Sequence, residues 1–178
     1  WIAAEVGVFM LDKKTGDIEF MDSTRIEPVN ASYVICADNG DIWVAARNGV
    51  YRKKQNEDNF IRKDISGVRI SGATFIMEDN DGNIWVTAWE NGLFKYDRHT
   101  DRFYKYFDPV LYYSNIVYQD RSGTIWVGTW DKGLLRLKTP DSKIGMEYDR
   151  ITHSDKDRNS LLDDIIYFIY QDSEDRLW

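Results

Sequence analysis

Short apolar runs alternate with polar turns along this chain, and the alternation repeats. The runs YVICA, TFIM, NIVY and IIYFIY are rich in β-branched and aromatic residues, and each precedes a polar turn. A strand containing tryptophan, a second turn and a strand that opens with Gly-Val or Gly-Leu follow. Continuous apolar runs of this length are typical of strands that are buried on both faces. The pattern therefore predicts strands and turns throughout, beginning with a buried strand in each unit.

Tryptophan marks the period of the repeat. The spacings are 42, 42, 41 and 52 residues between Trp1, Trp43, Trp85, Trp126 and Trp178. Self-similarity at this distance is typical of blade arrays. Because each unit repeats the packing of its neighbour, the period predicts the architecture before any single residue is interpreted.

Each unit contains four strand-like segments, of which the fourth is the most polar (IEFM, FIRK, FYKYF and GMEY). Four strands and a tryptophan in about 40–45 residues are typical of one β-propeller blade. We predict the apolar strand innermost, the tryptophan strand second, the glycine-opened strand third and the polar strand outermost. No segment of ten or more residues has helical periodicity. The expected fold class is all-β, with about four blade-equivalents in one domain over residues 1–178.

Glycine and small residues stand at fixed places in the units. The D-x-x-G turns put Gly40, Gly82 and Gly123 where a tight hairpin requires positive φ, and Asp175 takes that place in the last unit. A small residue also stands two positions after each of the first four repeating tryptophans, which suits an indole packed between blades. These residues are Ala3, Ala45, Thr87 and Gly128.

The chain begins inside a second strand and ends just after a first strand and its turn, which predicts a piece of a longer propeller. In the alternative arrangement, residues 165–170 join the first three strands and close a ring of four blades. Closure of that kind would remove exposed sheet edges.

Composition excludes several classes of protein. With 43% hydrophobic and 30% charged residues, the chain is not of the disordered type. A net charge of −7 with scattered basic residues argues against nucleic-acid binding. No apolar run approaches the ~20 residues of a membrane span, so we expect no direct membrane insertion. The single cysteine, Cys36, excludes an intrachain disulfide and is interpreted as a small core residue.

The sequence contains no catalytic, cofactor or metal motif. No P-loop, dinucleotide fingerprint, nucleophile elbow or HExxH motif is present. The DNDG turn, residues 79–82, resembles part of a calcium-binding loop. Such a loop needs a Glu six residues after its Gly, but Ala88 stands there. We interpret its Asp as a cap of its own turn. The Asp-box of sialidase-like propellers also has a Gly three residues before the Trp, but the Ser of that motif is absent. We therefore expect no cofactor and no metal.

The string D-x-x-G-x-[IL]-W-[IV]-[GTA]-[TA]-x-x-x-G-L resembles the two-component regulator propeller repeat, most clearly at VYQDRSGTIWVGTWDKGLLRL (residues 117–137). The segment THSDKDRNSLLDDIIYFIYQD is similar to the segment that recurs in this family immediately before and into an inner strand. The resemblance implies the periplasmic sensor region of a bacterial hybrid two-component histidine kinase, commonly seven-bladed and specific for oligosaccharides. It implies a homodimer partner, contacts with the rest of the receptor and no kinase activity in this chain. A protein-interaction scaffold and a propeller lyase or glycosidase are the alternatives.

Propeller geometry indicates where a ligand would bind. Loops between strands two and three and loops between blades emerge on one face, which we call the loop face, and differ among the units. Trp89 and Trp130 occupy the same loop position in adjacent units, four residues after the repeating tryptophan. Their rings suit stacking on sugars, with polar neighbours for hydroxyl groups; the alternative is packing against adjacent blades. The candidate ligand-binding residues are Trp89, Trp130, Arg47, Glu5, Asn91, Asp131, Tyr112 and Tyr113.

The last unit carries its extra length in one loop, residues 149–164, with the sequence DRITHSDKDRNSLLDD. The loop is charged and emerges on the loop face. It is expected to act as a ligand lid or an interface element, or to be a plain surface excursion.

Overall fold

The structure, a computed structural model, describes residues 1–21, 30–63, 70–106, 108–139 and 146–178. Strands dominate these residues, and one short 3-10 helix spans Pro109–Leu111. The first sheet contains β1 (Ile2–Ala4), β2 (Gly7–Leu11) and β3 (Ile18–Met21). The second contains β4 (Ala31–Cys36), β5 (Ile42–Ala46), β6 (Gly49–Lys53) and β7 (Ile61–Lys63). The third contains β8 (Ala73–Glu78), β9 (Ile84–Ala88), β10 (Gly92–Asp97) and β11 (Arg102–Lys105). The fourth contains β12 (Ser114–Gln119), β13 (Ile125–Thr129), β14 (Leu134–Leu137) and β15 (Tyr148–Ile151).

Each sheet is an antiparallel meander in which strands adjacent in sequence are neighbours in space. The predicted order is confirmed, with β4, β8 and β12 at one edge and the polar strands β7, β11 and β15 at the other. Successive sheets pack on each other as propeller blades do, so the all-β propeller fold class is confirmed. The fourth polar strand is β15, which starts only at the last residue of the predicted segment GMEY.

The prediction that the first strands are buried on both faces was wrong for β4 and for residues 165–170. Tyr33 on β4 is exposed, and so are Tyr167, Phe168 and Tyr170. Residues 165–170, predicted as the first strand of the last unit, also form no strand in the structure. Cys36, expected in the core, is also exposed at the end of β4.

Residues 165–170 do not enter the first sheet, where β1 is hydrogen-bonded to β2. Instead, Tyr170 and Trp178 exchange two backbone hydrogen bonds with N–O distances of 3.0 and 2.7 Å. The four-blade closure considered from the sequence is therefore not seen among the described residues.

Repeating tryptophans lie between blades. The Trp43 ring, from the second sheet, lies against Tyr96 and Phe103 of the third sheet, with ring centroids 4.8 and 5.9 Å apart. Trp85 is fully buried and packs in a cluster with Val117 and residues of the fourth sheet. Buried aromatic rings contribute much of the apolar area that drives folding. These indoles therefore hold neighbouring blades together.

The D-x-x-G turns have the predicted conformation. Gly40, Gly82 and Gly123 have φ of 82°, 75° and 88°, and Asp175 has φ of 62°. The preceding aspartate caps the turn, as predicted: Asp79 Oδ1 accepts from the backbone N–H groups of residues 81 and 83 at 3.1 and 2.8 Å.

The same aspartates also accept a hydrogen bond from the indole of their own unit, which the sequence analysis missed. The Nε1–Oδ2 distance is 2.7 Å for Trp85 and Asp79, 2.7 Å for Trp126 and Asp120, and 2.8 Å for Trp178 and Asp172. The constant six-residue spacing between Asp and Trp was visible in the sequence and is the signal of this contact. In the second unit Ala37 stands at the aspartate position, and Asp41 pairs with Arg52 instead, at 2.7 Å.

Candidate functional site

Backbone hydrogen bonds join successive blades along the loop face. The linker residue Asn30 donates its N–H to Glu5 O at 2.8 Å, and its carbonyl accepts from Arg47 N at 3.0 Å. Gly72 repeats this role in the next linker, between Arg47 O and Trp89 N, with both distances 2.7 Å. Both linker residues have positive φ, 56° at Asn30 and 67° at Gly72. The loop positions that the sequence singled out therefore lie on one line across neighbouring blades.

Trp130 continues this arrangement in the fourth sheet, where its N–H donates to Tyr113 O at 3.1 Å. The linkers thus place Trp89, Tyr113 and Trp130 side by side. Ring centroids of Trp89 lie 5.4 Å from Tyr113 and 5.2 Å from Trp130. Tyr167 adds a fourth ring, 5.0 Å from Trp130. We call these four residues the aromatic corner.

An open pocket of about 310 Å³ is lined by residues of the aromatic corner and by two acids. The lining residues are Trp89, Glu90, Tyr113, Trp130 and Asp131. Trp89 is 40% exposed, although its ring also contacts its neighbours. The rings of Trp89 and Trp130 pack on each other across blades, as the packing interpretation predicts. The stacking of a sugar on the exposed part of Trp89 stays a prediction.

The remaining predicted residues lie around this pocket or support its loops. Asn91 donates its side-chain amide to Ser71 O at 3.1 Å and to Trp89 O at 3.2 Å, so it anchors the loop that carries Trp89. Tyr112 packs on Tyr113 with centroids 5.0 Å apart. Arg47 and Glu5 are exposed on the same face, but they do not line the pocket.

A second pocket is lined by residues that follow or precede those of the first pocket in the sequence. Its lining residues are Asn91, Gly92, Lys105, Tyr106, Asp108, Pro109 and Tyr112. Burial lowers the pKa of Lys105, whose ammonium lies 5.8 Å from the Phe94 ring centroid. Asp108 caps the 3-10 helix by accepting from Val110 N at 2.8 Å, and this helix carries the chain into Tyr112.

Sequence reasoning missed Glu90 and Tyr167 as lining or corner residues. Glu90 follows Trp89 directly and has positive φ, 56°. Tyr167 was placed in a buried strand, but 68% of it is exposed and it lies against Trp130. No sequence signal marked Tyr167 as a corner residue, because the repeat aligns it with Asn115 on β12 and not with an aromatic residue.

The loop of residues 152–164 is held by its own hydrogen bonds and reaches the turn after Trp130. Asp164 O accepts from Gly133 N at 2.9 Å, and Asp164 Oδ1 accepts from His153 N at 2.6 Å. The His153 ring nitrogens lie 2.7 Å from Leu161 O and 3.0 Å from Asp155 Oδ1. Both partners are acceptors, so the doubly protonated ring satisfies both. The Leu161 carbonyl and the Asp155 carboxylate therefore raise the pKa of His153.

We expect this histidine to make loop stability depend on pH. Because the folded-state pKa is raised, the stabilisation is fully present below the ordinary value of about 6.5 and is lost as pH rises through the folded-state pKa. Hydrogen exchange of the loop amides, measured from pH 5 to 8 and corrected for intrinsic rates, should show protection that falls with pH. His153→Ala should abolish this dependence, and His99→Ala, in an unrelated turn, should leave it intact. A loop whose protection is equally flat in all three proteins would contradict the expectation.

Among the described residues, no group of three or more His, Cys, Asp or Glu side chains is arranged to hold a metal ion. No helix in the same residues is long and apolar enough to cross a membrane.

Comparison with known proteins agrees with the repeat. The two component regulator propeller family matches residues 111–131, which include Tyr113 and Trp130. No curated protein sequence matches the chain.

Similar solved structures include the extracellular domain of BT4673 from B. thetaiotaomicron, a protein assigned to the one component or hybrid two component systems. Its TM-score is 0.83 at 21% identity, over 100% of this chain and 24% of that one. The extracellular domain of BT3049 from the same organism, assigned to the hybrid two component systems, has a TM-score of 0.72 at 21% identity, over 96% of this chain and 22% of that one. A streptogramin B lyase has a TM-score of 0.63 at 17% identity, over 80% of this chain and 46% of that one.

This chain therefore spans about a quarter of the length of the two extracellular domains. At these identities the likeness concerns the fold, and the lyase shows that the same fold also occurs in an enzyme. The resemblance read from the sequence is confirmed: the chain carries a two component regulator propeller repeat on the β-propeller fold of extracellular domains assigned to hybrid two component systems.

Proposed function

We propose that this chain is part of the extracytoplasmic, periplasmic ligand-sensing region of a hybrid two-component histidine kinase, and that it recognises an oligosaccharide. The observation that carries the proposal is the aromatic corner on the loop face. Loops on a rigid frame are where proteins place binding residues. The repeat and the fold of the extracellular domains support the sensor class.

The corner has the composition of a sugar site. Indole and phenol rings offer apolar faces to the C–H groups of a sugar ring, and carboxylates and amides accept or donate to its hydroxyl groups. Trp89 supplies an exposed ring, and Glu90 and Asp131 supply carboxylates at the pocket wall.

Signal transmission requires that binding be coupled to the rest of the receptor. The corner is built from two adjacent blades, since Trp89 follows β9 and Trp130 follows β13. A ligand held by both rings would bias the blades toward one relative arrangement, which is the differential interaction that a signal needs. In this proposal the chain has no catalytic activity, and its partners are the rest of the receptor and a second receptor copy.

Removal of either indole should weaken oligosaccharide binding. We expect Trp89→Ala and Trp130→Ala each to raise the dissociation constant about tenfold, because each loses one stacking face. Isothermal titration against a panel of neutral oligosaccharides measures this.

Trp178→Ala is the matched control, because Trp178 is 70% exposed and is not among the described residues that line the pocket. Unchanged affinity in both corner variants would reject the site. Turnover of the bound sugar would favour the enzyme alternative, and silence across the panel would favour a protein partner.

A further inference from the structure

The rings of the aromatic corner do not form a flat platform. The Trp89 ring plane is inclined by 83° to that of Trp130 and by 57° to that of Tyr113. Tyr167 stands at 81° to Trp130. A sugar ring stacks best along one extended face, whereas steeply inclined rings enclose a compact group and contact it from several sides. The angles therefore favour a small, rounded group at the centre of the corner.

Two carboxylates contribute to the wall of this enclosure. Glu90 follows Trp89 and Asp131 follows Trp130, and both line the pocket. Asp131 is 2.7 Å from Lys132 Nζ, an ion pair between two partly exposed side chains that water screens. Among the described residues, no Lys or Arg side chain lines this pocket. The electrostatic potential inside it consequently favours a cation over an anion.

Trp130 presents carbon atoms to the pocket. Its Nε1 is buried and has no hydrogen-bond partner among the described residues. The indole N–H therefore does not serve a ligand hydroxyl in this conformation. What remains available from Trp130 is ring surface, whose negative electrostatic face attracts cations.

Together these features assign a ligand chemistry to the corner. We propose that it binds a compact cationic group, a protonated amine or a quaternary ammonium, with the ring faces around the charge and the Glu90 and Asp131 carboxylates beside it. This inference rests on the proposed ligand-sensing function and narrows the ligand to amine-bearing molecules. An amino-sugar oligomer would satisfy both the oligosaccharide proposal and the cationic-group proposal.

Two matched pairs of probes test the charge. Glucosamine oligomers and their N-acetylated counterparts have the same sugar backbone, but only the former carry amines. Tetramethylammonium and tert-butanol are a compact cation and a compact neutral molecule of similar shape. We expect the amine oligomer to bind at least about tenfold more tightly than its N-acetylated form at pH 6 and low salt. Tetramethylammonium, and not tert-butanol, should quench the exposed tryptophan fluorescence.

Glu90→Gln and Asp131→Asn should each reduce the preference for the amine over the N-acetylated oligomer several-fold, because an amide can still hydrogen-bond to a sugar hydroxyl group but no longer attracts the positive charge. Glu174→Gln, at an exposed turn next to Asp172, is the matched control and should preserve the preference. The melting temperature of each variant verifies folding. Retention of the full preference in both acid variants would overturn the role given to the carboxylates.

The outcomes separate this inference from the proposed function. Equal binding of amine and N-acetylated oligomers would overturn the cationic site and leave oligosaccharide sensing standing. Binding of tetramethylammonium without binding of any oligosaccharide would support the cationic site and reject the sugar. If neither the glucosamine oligomer nor tetramethylammonium binds, the inference is overturned.

Discussion

Gly133→Ala is expected to lower the free energy of unfolding by about 2–5 kcal/mol, from left-handed backbone strain together with overpacking. Gly133 has φ of 74°, and a Cβ there would overlap the backbone carbonyl oxygen of Ile151. That oxygen belongs to β15 and cannot rotate away as a side chain would. Its Cβ would also approach Asp164 Oδ1 to 3.3 Å. Urea unfolding followed by tryptophan fluorescence measures the loss.

Gly16→Ala separates the two causes. Gly16 has nearly the same φ, 79°, but a Cβ there would have no atom within 4 Å. This control should show the backbone strain alone, about 1 kcal/mol. Equal losses in the two variants would mean that the close approach to Ile151 does not matter.

The effect at Gly133 should also reach the candidate site. Gly133 donates to Asp164 O, and its own carbonyl accepts from Thr129 N at 3.1 Å. These bonds tie the turn that carries Trp130 to the loop of residues 152–164. The folded population of the Gly133→Ala variant should therefore show weaker protection of that loop from hydrogen exchange than the unmodified protein does.

Asp79→Ala is expected to cost about 3 kcal/mol, because it leaves a buried donor without an acceptor. Asp79 is 7% exposed and accepts from Trp85 Nε1, whose side chain is fully buried between the third and fourth sheets. It also accepts from two backbone N–H groups of its own turn, at residues 81 and 83. Thermal and chemical unfolding should both report the loss.

Asp172→Ala is the matched control, with the same hydrogen-bond pattern in a different environment. The Trp178 indole N–H lowers the pKa of Asp172 to about 2, but this indole is 70% exposed. Water replaces the lost acceptor there, so the control should lose well under half as much stability. A larger loss at Asp172 than at Asp79 would contradict the importance of burial.

Sequence reasoning could predict the blades because a repeat reports the same packing several times. The regular spacing of Trp43, Trp85 and Trp126, each with a glycine three residues earlier, can be recognised from a single sequence. Those glycines have positive φ in the structure, as predicted. Strand order follows from hairpins, since antiparallel neighbours in sequence become neighbours in space. The loop face and the positions of Trp89 and Trp130 follow from the same local rules.

The solvent exposure of individual side chains and their contact partners could not be predicted from the repeat. The apolar composition of residues 165–170 predicted a buried strand, but these residues belong to none of the four sheets, and Tyr167, Phe168 and Tyr170 are exposed. Cys36 was misplaced because its apolar neighbours in the sequence predicted burial, whereas it lies exposed at the end of β4. The side chains that come into contact across blades depend on the spacing and tilt between sheets. No local sequence pattern encodes that spacing and tilt.

By itself, the sequence determined the architecture: all-β blades of four strands, their internal order, and a variable face carrying Trp89 and Trp130. Only the tertiary structure decided what those tryptophans form. The linkers bring two rings from adjacent blades to 5.2 Å and incline them by 83°, with Tyr113, Tyr167, Glu90 and Asp131 around them. The physical reason is that period and propensity act within a blade, whereas contacts between side chains of different blades depend on how the sheets pack on each other.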